Sequence, residues 1–192
     1  MVDVETTSIP EVKIVRPKRI GDDRGFFSEW YNRAALAAQG INVGFIQDNM
    51  ALSVRKGTVR GLHFQAPPFA QAKLVGCVRG AVFDVAVDIR RGSPTFGRHI
   101  AVELSAANGQ QLFIPPGFAH GYCTLEENSV LFYKVDAGYS PQHDAGVLWQ
   151  DPDIGIAWPV TADAVQLSKK DTTLPRLKDL PPIFSYDARG SV

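Results

Sequence analysis

The sequence predicts an all-β fold, a β-sandwich or jelly-roll barrel with a few short helices. Short runs alternate between two faces with period two, as half-buried strands do. Glycine and proline, 17 and 13 in 192 residues, interrupt the chain often, leaving many short segments between turns. Helical periodicity is scarce. No linker, low-complexity tract or repeat of fixed period divides the chain, so residues 1–192 read as a single domain long enough to bury one core.

Taken in order, the first helical signal is NRAALAAQG, alanine-rich and closed by Gly40, a residue type suited to a helix C-terminus. GTVRGLHFQAPPFAQAKLVG follows, β-rich, with His63 in its middle and Lys73 ten residues on. In AVFDVAVDI, Phe83, Val85, Val87 and Ile89 share one face; Val82, Asp84, Ala86 and Asp88 share the other. In HIAVELS, Ile100, Val102 and Leu104 alternate with His99, Ala101 and Glu103. In SVLFYKVD, Leu131, Tyr133 and Val135 oppose Val130, Phe132 and Lys134, which suits an inward Tyr133. DAVQLSKKD reads as a second short helix, and the tail from about residue 175 as irregular and partly mobile.

Composition narrows the function. The formal net charge is zero and no basic cluster stands out, which argues against nucleic acid as the partner, though a few arginines in one pocket could still take an anionic small molecule. No apolar stretch is long enough to span a bilayer, and MVDVETTSIPEVKIV has no basic n-region followed by an apolar run. Cys77 and Cys123 form neither a metal clip nor a disulfide framework, and Cys77 reads as a small core residue. These features read as a reduced, cytoplasmic protein.

GQQLFIPPGFAHGYCT has glycine, five residues, Pro115, Pro116, Gly117, two residues and His120. It resembles the second motif of the cupin superfamily, whose fold is a jelly-roll barrel. The first cupin motif has glycine, five residues, His-x-His and a glutamate soon after. Gly57 plus five residues reaches His63, but Gln65 takes the second histidine position, and Phe69 and Ala70 stand where the glutamate belongs. A catalytic zinc or iron site needs about three basic protein ligands. Two histidines, a neutral amide and the cation Lys73 do not supply them, so the chain looks like a cupin without its metal.

The substitutions resemble one family, the dTDP-4-dehydrorhamnose 3,5-epimerases, from about Ile9 to about Pro175. GDDRGFFSEWYN, FIQDN, VRGLHFQ, AKLVGCVRGAVFDVAVDIRRGSPTFG, IPPGFAHGY, FYKVDAGYSP and LSKKD stand in the family's order. The resemblance implies epimerisation of dTDP-4-keto-6-deoxy-D-glucose at C3 and C5, with no metal and no cofactor. Both protons lie next to the C4 ketone, so the reaction needs a base, a group to hold the enolate oxygen and an acid on the opposite ring face. His63 matches the family's base, Asp171 the carboxylate paired with it, Lys73 the group near the oxyanion and Tyr133 the acid. Arg24, Glu29, Gln47, Asn49, Arg60, His120, Asp144 and Lys170 match substrate-binding positions, the two arginines suiting a diphosphate. Tyr139 matches an aromatic that stacks on thymine, and Asp144 is one carbon shorter than the family's glutamate. The resemblance also implies a homodimer with N-terminal strand exchange, residues near Arg24 and Glu29 reaching the partner's site.

Other readings stay open at this point. A lone histidine is more often structural than chemical; His120 could satisfy a turn, and His99 and His143 read as surface residues. Asp22, Asp23 and Arg24 could be a solvated turn, and Asp84 and Asp88 read as hydrogen-bonded strand residues. Relatives that epimerise only C3 carry the same base and acid. A metal-dependent cupin enzyme and a non-catalytic sugar-nucleotide-binding cupin are further alternatives. Arg60 and His63 also have opposite strand parity, which a bulge at Gly61 could reconcile.

Overall fold

The computed structural model describes residues 2–187. The strands, in chain order, are β1 (Val2–Thr6), β2 (Lys13–Pro17), β3 (Arg19–Asp22), β4 (Gly25–Ser28), β5 (Gln47–Ser53), β6 (Val59–Gln65), β7 (Lys73–Arg79) and β8 (Ala81–Asp88). They continue with β9 (Arg90–Arg91), β10 (His99–Ser105), β11 (Gln111–Ile114), β12 (Phe118–Thr124), β13 (Ser129–Val135), β14 (Asp144–Gly146) and β15 (Phe184–Ser185). One antiparallel sheet runs β1-β2-β11-β7-β13-β5 and the other β10-β8-β12-β6-β14. The sheets face each other as a jelly roll, with Val75, Cys77, Ala86, Leu104, Leu112, Phe118 and Leu131 filling the space between them.

The alternation read from the sequence is present, but β8 is buried on both faces rather than one. Val82 and Ala86 enter the central core, while Val85, Val87 and Ile89 pack outward against Val147, Ile154 and Leu177. The cause is distant: the later chain folds back over the outer face of the five-stranded sheet. Leu177 is buried there, and Phe184–Ser185 pairs in parallel with β9. Of the tail beyond Pro175, residues 188–192 lie outside the described residues.

The outer face of the other sheet is covered by α1 (Arg33–Ala38), the single α-helix among the described residues. Asn32 caps its start by accepting from Ala35 N–H at 3.0 Å. Gly40, at φ +79°, ends it: Gly40 N–H donates to Ala37 and Ile41 N–H to Leu36, with Leu36 and Ile41 both buried. The second helix expected over DAVQLSKKD is not formed. Residues 165–167 run extended along β6, with Val59 N–H donating to Gln166 and Gln166 N–H to Gly57, so that Val165 and Leu167 pack toward Val59, Cys123 and Trp149. Tertiary pairing overrides a weak local preference here, and a 3₁₀ turn forms just beyond it, at Asp171–Thr173.

The β3–β4 hairpin pairs with no other strand among the described residues. It exposes Ile20 (63%), Phe26 (58%) and Phe27 (70%).

Candidate active site

At one end of the sandwich the inner faces of the sheets part into a chamber of about 250 Å³. The five-stranded sheet supplies Arg60, His63, His120 and Tyr122; the six-stranded sheet supplies Ala51, Lys73, Leu131 and Tyr133; Ser168 and Asp171 close it. An outer cleft shares His63, Lys73 and Tyr133 with the chamber and adds Gln47, Asn49, Gln65, Gln71, Tyr139, Asp144 and Lys170.

A break in strand register brings Arg60 and His63 to the same side. His63 pairs with His120 but Arg60 pairs with Tyr122, so β6 spends one more residue than β12 over the same span. Gly61 makes this possible at φ +138°. A Cβ there would stand 2.5 Å from Gly121 Cα and 3.0 Å from the His120 carbonyl oxygen, a space no side chain can enter.

His63 Nε2–H donates to Asp171 Oδ1 at 2.6 Å. Asp171 is 2% exposed. Burial alone would raise its carboxyl, but the hydrogen bond from His63, the positive charge that ring carries whenever it is protonated, and donors from Ser168 and Gly61 outweigh burial and hold it below the ordinary carboxylate value. An ionised carboxylate can only accept, so Nε2 carries the hydrogen and Nδ1 the free lone pair. Opposite, burial raises the Tyr133 phenol despite the nearby charge of Arg60, so it stays protonated at neutral pH. Burial lowers the Lys73 ammonium to about 8, against the attraction of Asp84 and Asp144. The register Gln47–Val135–Lys73 beside Asn49–Tyr133–Val75 places all four polar groups on one face of the sheet.

The other expected residues divide in two. Gln47 Nε2 donates to Asn49 Oδ1, Asp144 accepts from Tyr139 and Lys170, and Arg60 donates to Ser53 Oγ and the Leu52 carbonyl. All of these line the chamber or the cleft. Arg24 and Glu29 are not brought there by their own chain: Arg24 pairs with Asp22 at the exposed hairpin tip, and Glu29 accepts from Asn32. His120 does more than satisfy a turn. It is buried and donates to Asp84 at 3.0 Å, making a second histidine–carboxylate pair in the chamber wall. The signal for Asp84 was its place on the Val82–Ala86 face, a carboxylate amid inward apolar residues. Asp88 is hydrogen-bonded too, to Arg90, Ser93 and Thr95. His99 and His143 are half-buried rather than surface residues. His143 bonds Ser140 and lies against the Phe69 ring, because the turn after β6 folds beneath it.

Each chamber histidine is thus engaged by its own carboxylate, and the Gln65 amide is spent on backbone groups of Phe69, Gly138 and Ser140. Among the described residues no group of three or more His, Cys, Asp or Glu gathers as a metal site. No described helix is long and apolar enough to cross a membrane.

Comparison with known proteins gives the family. The family profile for dTDP-4-dehydrorhamnose 3,5-epimerase matches residues 6–179. The chain is 53% identical over 182 residues to the dTDP-4-dehydrorhamnose 3,5-epimerase of Sinorhizobium fredii, covering 95% of this chain and 93% of that protein. A crystal structure of the Bacillus anthracis dTDP-4-dehydrorhamnose 3,5-epimerase with TDP and PPi bound superposes with a TM-score of 0.89 at 48% identity, covering 92% of this chain and 99% of that one. The dTDP-6-deoxy-D-glucose-3,5-epimerase of Legionella pneumophila, in complex with dTDP-4-keto-L-rhamnose, superposes with a TM-score of 0.93 at 41% identity, covering 98% of this chain and 100% of that one.

Proposed function

The chain belongs to the dTDP-4-dehydrorhamnose 3,5-epimerase family, and from that premise we propose how its own residues carry out the reaction. The enzyme is an isomerase that inverts C3 and C5 of dTDP-4-keto-6-deoxy-D-glucose and gives dTDP-4-keto-L-rhamnose for dTDP-L-rhamnose synthesis. One observation carries the mechanism: His63 and Tyr133 project from facing sheets into the same chamber. Inversion needs a proton removed from one ring face and returned to the other, and two groups on opposite walls supply that.

His63 takes the proton from the carbon beside the C4 ketone through Nδ1, and Asp171 orients the ring and stabilises the imidazolium. The C–H electron pair moves into the enolate, whose oxygen is held by the Lys73 ammonium. Tyr133 delivers its phenolic proton to the opposite face, where the enolate electron pair forms the new C–H bond. The phenolate regains a proton from solvent and the His63 imidazolium releases its own to solvent, which resets both groups. The same cycle serves both carbons, since each adjoins the ketone. Arg60 binds the sugar diphosphate, His120, Gln47, Asn49, Asp144 and Lys170 line the substrate's path, and Tyr139 stacks on thymine. The whole chain acts as one catalytic domain in the cytoplasm.

Arg24 and Glu29 complete the site from a second copy of the chain. Three observations support a homodimer: the β3–β4 hairpin, which pairs with no other strand among the described residues, its exposed Ile20, Phe26 and Phe27, and the apolar outer edge of β5 at Met50 and Leu52. Sedimentation of the purified protein as a monomer would remove this part of the reading. For the mechanism, His63→Ala should fold normally and form no L-sugar product by NMR. Normal turnover by the folded variant would overturn the assignment of the base.

A further inference from the structure

Tyr139 stands 63% exposed at the mouth of the outer cleft, so packing does not fix its ring. Its backbone is fixed instead. Ala72 N–H donates to Asp136 Oδ1 at 2.7 Å, and Gln71 Nε2 donates to the Ala137 carbonyl at 2.7 Å. Gln65 Nε2 donates to the Gly138 carbonyl at 3.0 Å, and Gln65 Oε1 accepts from Ser140 N–H at 2.7 Å. One amide therefore binds the chain on both sides of Tyr139. The same Nε2 donates to the Phe69 carbonyl at 2.7 Å, tying this loop to the turn after β6. Gln65 is only 5% exposed, and both ends of its amide are engaged. Across the β14–β6 register it pairs with Asp144, the acceptor for the Tyr139 hydroxyl.

We propose that Gln65 is a positioning residue for nucleotide recognition: it holds the 136–140 loop so that Tyr139 is a preformed platform for the pyrimidine base. The inference rests on the reading of this cleft as a dTDP-sugar site. A ring already in place spends less binding free energy on ordering when the base arrives. Glutamine serves where glutamate cannot, because two carbonyl oxygens need a donor while one N–H needs an acceptor. A buried glutamine on an inward strand face would otherwise be a costly choice.

The test is a double-mutant cycle read by calorimetric titration of dTDP and by steady-state kinetics on the sugar nucleotide. Gln65→Glu keeps the shape and the Ser140 bond but turns a carboxylate oxygen on the Phe69 and Gly138 carbonyls. It should raise the dTDP Kd and the substrate KM about tenfold, the scale of one buried hydrogen-bonded group, with a much smaller change in kcat. In a Tyr139→Ala background the same substitution should add almost nothing. Equal weakening in both backgrounds, or no weakening in either, overturns the positioning role. Should Gln65→Glu fail to fold, Gln71→Ala carries the same cycle and must show the same dependence on Tyr139. Failure of the unaltered protein to bind dTDP would instead bring down the substrate reading, and this inference with it.

Discussion

Lys73→Met offers a test in which stability and activity should move in opposite directions. Methionine keeps an unbranched, flexible stem and removes the ammonium. Burial lowers the lysine from 10.5 to about 8, a disfavour for the charged form of about 3 kcal/mol at most, and less where the cleft admits water. Below about pH 8 the residue is charged in both the folded and the unfolded chain, so the full cost falls on the native state. Between about 8 and 10.5 the unfolded chain holds a proton the folded chain has released, and wild-type stability rises relative to the variant. Above that window the difference is gone. Urea unfolding at pH 7 should therefore find Lys73→Met more stable by about 1–3 kcal/mol, with most of the gap closed by pH 10. Turnover should be lost at every pH, because nothing then holds the enolate oxygen. Wild-type activity should also fall as the pH passes about 8 and the ammonium is neutralised. A variant less stable than wild type at pH 7, or a stability gap that ignores pH, would refute the picture of a buried charge kept for chemistry.

Two further substitutions probe the support of the site. Asp171→Asn should cut turnover by about 10³–10⁴ through loss of the correct imidazole tautomer, with folding intact by circular dichroism. The Asp171 carboxyl is held below 3.8, so its contribution to stability is full above that pH and is lost as pH falls through the lowered value; the asparagine variant should lose this part of the acid sensitivity in melts at pH 2–5. Gly61→Ala places a Cβ 2.5 Å from Gly121 at a φ that favours glycine. It should cost about 2–3 kcal/mol or more in thermal unfolding and misplace both Arg60 and His63. A stable, fully active alanine variant would contradict the role given to the bulge.

Much of this architecture was legible because period two speaks directly to strands. The alternation of Tyr133 with Leu131 and Val135 suited an inward direction, and Gly40 marked the end of α1 through a conformation few other residues adopt. What escaped the sequence was long-range. The double burial of β8 depends on Leu177 and Val147 returning to cover it. The extended path at Gln166 depends on its pairing with Gly57 and Val59, over a hundred positions earlier, which no local helical preference reveals. In the site, spacing and resemblance pointed to His63, Lys73, Tyr133 and Asp171, and the chamber brings all four together. The Asp84–His120 pair was only half visible, since a carboxylate on an apolar face signals a partner without naming it. Arg24 shows the opposite limit: one chain folded alone leaves it at an exposed hairpin tip.

Deuterium wash-in tests the central claim most directly. The protein is incubated with dTDP-4-keto-6-deoxy-D-glucose in heavy water, and the label is located by NMR and mass spectrometry. The account predicts solvent deuterium at both C3 and C5 with formation of dTDP-4-keto-L-rhamnose, and no label in the same assay with His63→Ala. Label and inversion confined to C3 would contradict the 3,5 assignment and mark a C3 epimerase. No label at either carbon, alongside a working control enzyme, would mean that His63 is not a base toward this sugar.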